Sequence, residues 1–145
     1  MPRILGVDPG RKRIGLALSD DAEGTVALPL GTFERHGGDE TTAAALAVHL
    51  KQVIEEGEVG DVVMGLPLRL DGRESTASKR VRRFGSALGD ALEVEVHYWD
   101  ERMTTLAAEG ALRSMGMSSR KQRNVVDAAA ATILLQSFLD AQGHA

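Results

Sequence analysis

Three carboxylates, Asp8, Glu101 and Asp127, stand where an α/β chain tends to gather its chemistry. Asp8 closes the apolar run RILGVD (3–8), just before Pro9-Gly10. Glu101 follows the run VEVHYWD (94–100), and Asp127 falls in the first turn of an apolar helix expected over Val125–Asp140. In open α/β sheets, ligands collect beyond the carboxyl ends of the strands. Three carboxylates in one crevice repel each other, and a bound cation relieves that repulsion. Hard oxygen donors of this kind suit Mg²⁺ or Mn²⁺. Two such ions, ~4 Å apart, can activate a water and stabilise the leaving oxygen of a phosphodiester. Taken singly, each acid has a second role open to it. Asp8 could hold an Asx-type turn, and Glu101 could pair with an arginine on the surface. Asp127, three positions after Asn124, could serve a capping-box-like contact or the helix dipole.

Other chemistries find little material. The chain has no cysteine, which excludes disulfides, thiolate metal sites and a thiol nucleophile. His36, His49, His97 and His144 show no metal-ligand spacing among themselves. No serine sits in a nucleophile elbow. Five aromatic residues in all supply few platforms for base stacking. The N-terminus, MPRILGVDPG, lacks the long apolar core of a signal peptide, and no stretch approaches the ~20 apolar residues of a membrane span. The expectation is a cytoplasmic protein without membrane contact.

Net charge is −4, which alone argues against a nucleic-acid partner. The distribution argues the other way. Fourteen of the 17 Lys and Arg fall in three segments, 3–13, 69–83 and 113–123, whereas 34–61 carries seven acids against two bases. A folded chain could thus show a basic and an acidic face.

The elements needed to position the acids can be read in order. Strands are expected at 3–8, 13–19 and Thr25–Phe33, the third interrupted by Pro29 and therefore an edge or bulged strand. Their short connections are hairpin-like, hence antiparallel. Asp39 is the expected cap of a helix over Thr41–Glu56, stopped by Gly57. Val59–Gly65 reads as a strand buried on both faces. Ser75 can cap a helix to about Leu88, with Ala77, Val81, Phe84 and Leu88 on one stripe and Lys79, Arg80, Arg82 and Arg83 on the other side. Val94–Asp100 is the fifth strand. A helix from Thr104 or Thr105 to near Gly116 follows, then an exposed basic loop or lid over Met117–Asn124, then the last helix. No repeat or linker is visible, so residues 1–145 form one domain. Hairpin strands first and αβ crossovers afterwards imply a five-stranded mixed sheet, its first three strands antiparallel, with helices on both faces. This α/β layout is that of the RNase H-like fold.

Five blocks occur together along nearly the whole chain: GVDPGRKRIGLALSD (6–20), GLPLRLDG (65–72), VRRFGSAL (81–88), DERMTT (100–105) and KQRNVVDAAAATILLQSFLD (121–140). In this order they closely resemble the YqgF/RuvX family. The resemblance implies an RNase H-like fold related to RuvC resolvases. It implies a nuclease linked to maturation of the 5′ end of small-subunit (16S) ribosomal RNA precursor, some members having been proposed as Holliday-junction resolvases. By motif position Asp8, Glu101 of the DER motif and Asp127 match the family's acidic residues. RuvC-type enzymes carry an acid after the fourth strand; here Gly65-Leu66-Pro67 stands there, so the role passes to DER on the next strand. Asp100 competes with Glu101, but Asp100 continues the face of Val94, Val96 and Tyr98. On this reading Arg13, Arg102, Lys121 and Arg123 hold phosphates near the metal, and Lys79, Arg80, Arg82 and Arg83 lie along the nucleic-acid backbone. The partner is nucleic acid, structured RNA first and branched DNA second, bound by a monomer or homodimer. A non-catalytic RNA-binding assembly factor and an actin-like nucleotide-binding domain are the readings from other classes.

Overall fold

A computed structural model of the chain describes residues 2–20, 22–55, 58–101 and 119–142, with the side chains of 119–127 excepted. Five strands form one sheet: β1 (Arg3–Pro9), β2 (Arg13–Ser19), β3 (Ala27–Glu34), β4 (Val59–Leu66) and β5 (Glu95–Asp100). Their spatial order is β3-β2-β1-β4-β5. The β1–β2 and β2–β3 pairs are antiparallel, and β1–β4 and β4–β5 are parallel. The three described helices are α1 (Asp39–Val53), α2 (Thr76–Leu92) and α3 (Ser119–Ala141). The expected five-stranded mixed sheet is therefore present.

The alternation of side chains along the strands sorts the core into two layers. Leu5, Val7, Ile14, Leu16, Leu18, Val62, Met64 and Leu66 face α1 and α2, meeting Leu46, Leu50, Val81, Phe84 and Leu88. Ala17, Ala27 and Val63 face α3, meeting Ala131, Leu135, Phe138 and Leu139. Helices thus cover both faces. Gly6 lets α3 approach: a Cβ there would lie 2.8 Å from Leu135 Cβ and 3.1 Å from the Ala131 carbonyl. Gln136, further along α3, accepts a bond from the Ala27 N–H at 2.9 Å and donates to the Thr25 carbonyl at 2.9 Å. The end of α3 therefore lies over the start of β1, and its beginning points toward the end where β1 finishes.

Pro29 has the consequence expected of it. β3 is an edge strand, and its register against β2 slips beside Pro29, from Leu16↔Gly31 to Ala17↔Pro29. The β2–β3 connection is held by Asp20, whose carboxylate accepts from the Val26 N–H (2.8 Å) and the Glu23 N–H (3.0 Å). Those amide bonds, Val26 first, pull the Asp20 pKa down to about 2. Because the folded value lies below the ordinary one, this contribution to stability is complete above about pH 4 and disappears as pH falls toward 2. Acid titration of Asp20→Asn against the wild type checks it. The wild type should be more stable at neutral pH, with the difference closing between pH 4 and 2.

Several boundaries differ from expectation for local reasons. Gly38, not Asp39, is the N-cap of α1, and Asp39 opens the helix. The Asp39 carboxylate is engaged with Arg35 (3.4 Å) and Arg83 (4.0 Å) instead of the helix amides. The helix ends at Val53 because Ile54 turns extended and buries its side chain. Ser75 caps α2 in a reciprocal capping box with Ser78. That box buries Ser78 and leaves Ala77 exposed, so the core stripe is Ser78, Val81, Phe84, Gly85, Leu88 and Gly89. Ser119–Asn124, expected as part of a loop or lid, form the opening turns of α3. No Gly or Pro interrupts Ser119–Asp140, and Lys, Arg and Gln favour helix. The helix expected from Thr104 or Thr105 to Gly116, with Met117 and Ser118, lies outside the described residues.

Candidate active site

Asp8 lies in β1 directly opposite Gly15 of β2. On the other flank β1 pairs with β4 through Val7↔Met64, so the next step of the register sets Asp8 alongside Gly65. Ile4, Gly6 and Asp8 alternate onto the α3 face, since Leu5 and Val7 occupy the other core. Asp8 is thus an acid with a glycine on each neighbouring strand. Neither neighbouring strand therefore places a side chain directly beside it on this face.

Glu101 directly follows β5 and lies over the neighbouring Gly65. Gly65 pairs with Trp99, and Trp99 is on the α3 face, where its indole N–H donates to Ser137 Oγ (3.0 Å) and its ring stands edge-on to Phe138. Two residues on, Glu101 shares that face. Its carboxylate leans back over Gly65: a Cβ built there would lie 3.0 Å from Glu101 Oε1 and 3.0 Å from Cγ. The neighbouring Asp100 continues the opposite face, that of Val94, Val96 and Tyr98, which pack on the α1/α2 core. The glycine standing where RuvC-type enzymes carry an acid is therefore the space that the Glu101 carboxylate uses.

Position 127 belongs to α3, one turn before Ala131, which faces Gly6. One helical turn advances ~5.4 Å, and Gly6 to Asp8 is ~6.6 Å along β1. The backbone of α3 at 127 accordingly runs at the level of Asp8. The Asp127 side chain lies outside the described residues, as do those of Lys121 and Arg123, which occupy the first turns of α3, and all of Arg102.

Among the cations, Arg13 begins β2 on the face of Gly15 and Ala17, the Asp8 side of the sheet. It lines a recess of about 520 Å³ with Arg11, Lys12, Arg35 and Glu34. Arg35 is fixed there, its Nε donating to the Gly10 carbonyl at 2.7 Å. Arg11, Lys12 and Arg35 were not singled out from sequence; the density of bases in 3–13 was the available signal for the first two, and Arg35 joins them only through the pairing of β2 with β3. Lys79, Arg80, Arg82 and Arg83 are exposed on α2, which packs on the sheet face opposite to Asp8 and Glu101. Arg82 is paired with Glu74 at 2.7 Å and its guanidinium sits 4.8 Å over the Tyr98 ring. That hydrogen bond raises the Arg82 pKa and lowers that of Glu74. The outer face of α2 can reach a substrate at Asp8 only around the rim of the sheet.

A pair of carboxylates on one face over a glycine floor fits Mg²⁺ or Mn²⁺, which take one or two carboxylates and keep water on their other positions. A second group of donors, missed in the sequence, also suggests a divalent metal. Asp61, Glu95 and His97 place ligand atoms within 4.8 Å of one another. Strand pairing brings them together, Asp61 opposite Glu95, which spacing along the chain does not reveal. Among the described residues no helix is long and apolar enough to cross a membrane.

Comparison with known proteins agrees with the fold. The family described as "RuvX: Holliday junction resolvase" matches residues 2–141. A protein of Anaeromyxobacter sp. (strain Fw109-5) named "Putative pre-16S rRNA nuclease" is 46% identical over 138 residues, covering 95% of this chain and 96% of that one. A relative of the same name from Maridesulfovibrio salexigens is 38% identical, covering 94% and 97%. In fold, the chain resembles Thermus thermophilus RuvC in complex with a Holliday junction substrate (TM-score 0.56, 15% identity, 99% and 97% covered). It also resembles the Fowlpox virus resolvase with Holliday junction DNA (TM-score 0.57, 11% identity, 97% and 99% covered). These likenesses establish the RNase H-like fold. The chain belongs to the RuvX family, and it is a nuclease, a hydrolase of the phosphodiester bonds of nucleic acid.

Proposed function

We propose that residues 1–145 form a single cytoplasmic nuclease domain that processes the 5′ end of pre-16S ribosomal RNA, with Asp8, Glu101 and Asp127 holding Mg²⁺ or Mn²⁺. The observation that carries this reading is the Glu101 carboxylate lying over Gly65, on the face and at the level of Asp8. The bound ion supplies an activated water and charge stabilisation at the leaving oxygen. The chain's part is positioning. Asp8 is fixed by its strand and by the turn behind it, where the Gly10 N–H donates to the Asp8 carbonyl at 3.0 Å. Glu101 is aimed by β5 and by the room above Gly65. Arg13, with Arg11 and Lys12 of the turn before it, would neutralise the phosphates beside the scissile bond. Arg102, Lys121 and Arg123 would do so from the sequence around Glu101 and Asp127. Lys79 and Arg80, with Arg82 and Arg83, would meet flanking backbone at the rim of the sheet, as monomer or homodimer.

The name shared by the relatives cited above favours RNA, and the family description favours a four-way DNA junction. Cleavage of a precursor fragment carrying the 16S 5′ leader, measured beside an immobile four-way junction at equal Mg²⁺ or Mn²⁺, separates the two. The proposal expects the RNA to be cut faster. A junction cut in preference, with the RNA intact, assigns the protein to resolvase activity. Salt-sensitive RNA binding with no cleavage in either ion would make it an assembly factor.

A further inference from the structure

Asp61, Glu95 and His97 sit on the α3 side of β4 and β5, away from the end that carries Asp8 and Glu101. Asp61 is directly opposite Glu95, and His97 is opposite Val63. All three side chains therefore rise from one face of a single parallel two-strand ladder. His97 Nε2 lies 3.3 Å from Asp61 Oδ1. The His97 ring is set against Phe138, with centroids 5.9 Å apart and an interplanar angle of 37°, which holds the imidazole in the plane that faces the carboxylate. Two like charges directly opposite in neighbouring strands destabilise the pair unless something of opposite sign lies between them.

We propose that this triad is a second metal site, for a divalent first-row transition ion such as Zn²⁺, separate from the catalytic carboxylates. The donor set is the first reason. One imidazole nitrogen with two carboxylates suits Zn²⁺, whereas Mg²⁺ prefers oxygen alone. The spacing is the second. With metal–ligand bonds of ~2.1 Å, ligand atoms on a tetrahedral ion lie ~3.4 Å apart, close to the separation of His97 and Asp61. Glu95 is exposed and can close the remaining distance by rotation about its side-chain bonds. Three protein ligands leave a fourth position for water. The location is the third. Asp61 and Gly65, over which the Glu101 carboxylate lies, are four residues apart on β4, ~13 Å along an extended strand, so one ion cannot serve both sites. Among the described residues β5 ends the sheet. An ion bridging Asp61 to Glu95 and His97 ties that outer strand to β4 and steadies the element from which Glu101 projects.

The test uses the full chain, stripped of metal with a chelator, in an Asp8→Asn background that disables the carboxylate site. Zn²⁺ is titrated by calorimetry, and thermal unfolding is followed with and without Zn²⁺. The expected result is one bound Zn²⁺ and a higher Tm in its presence. His97→Gln and, separately, Glu95→Gln should each weaken binding at least about tenfold and remove the Tm increase. Glu95 is exposed, so its replacement keeps the test valid if His97→Gln fails to fold. Failure of Zn²⁺ to bind the Asp8→Asn protein, or binding that both substitutions leave unchanged, overturns the proposal.

Discussion

Asp8→Asn is expected to slow metal-dependent cleavage by roughly a hundredfold to ten-thousandfold while leaving the fold intact. A catalytic metal contributes several kcal/mol of transition-state stabilisation, and each ~1.4 kcal/mol is a factor of ten in rate. The substitution keeps the size of the side chain and its ability to form an Asx-type turn, and it removes only the charge. The backbone bond from Gly10 to the Asp8 carbonyl is untouched. A role limited to the turn therefore predicts unchanged activity, and a role as metal ligand predicts the loss. Single-turnover cleavage of the precursor RNA in Mg²⁺, with far-ultraviolet circular dichroism as a fold control, tells them apart.

Gly65→Val is expected to cost about a hundredfold in the same assay, with little change in thermal stability. A Cβ at this position already presses on the Glu101 carboxylate, and the two further methyl groups of valine would fill the space it occupies. Displacing a catalytic group by ~1 Å is enough for a loss of that size. Valine suits a strand, and its neighbours Met64 and Leu66 lie on the other face, so β4 itself should tolerate it. The signature to look for is a fall in kcat together with a higher Mg²⁺ requirement. If Gly65→Val cleaves at the wild-type rate, Glu101 does not work from the position described.

Much of this arrangement was legible in the residues. The run RILGVD stopping at Pro-Gly placed Asp8 at a strand end, and the break at Pro29 marked an edge strand with a register slip. Alternation from Val94 through Asp100 put Asp100 on the face of Val94, Val96 and Tyr98, and that face packs on α1 and α2. Other features depended on pairing between distant strands, which sequence spacing does not encode. Gly65 read as a missing acid, and only its pairing with Trp99 reveals it as the floor beneath Glu101. The Asp61, Glu95 and His97 group escaped notice for the same reason. The basic face of α2 was legible as a stripe, but which side of the sheet it would cover depended on the crossover from β4 to β5. The opening of α3 was missed because its polar residues resembled a loop, although nothing in Ser119–Asn124 breaks a helix.

The most direct test of the carboxylate site is an anomalous difference map from a crystal of the protein soaked in Mn²⁺. The account predicts a peak within ~2.3 Å of oxygens from both Asp8 and Glu101, above Gly65 on the α3 face, and its disappearance in Asp8→Asn. A map with no peak between Asp8 and Glu101, with Mn²⁺ bound only at other positions, would contradict it.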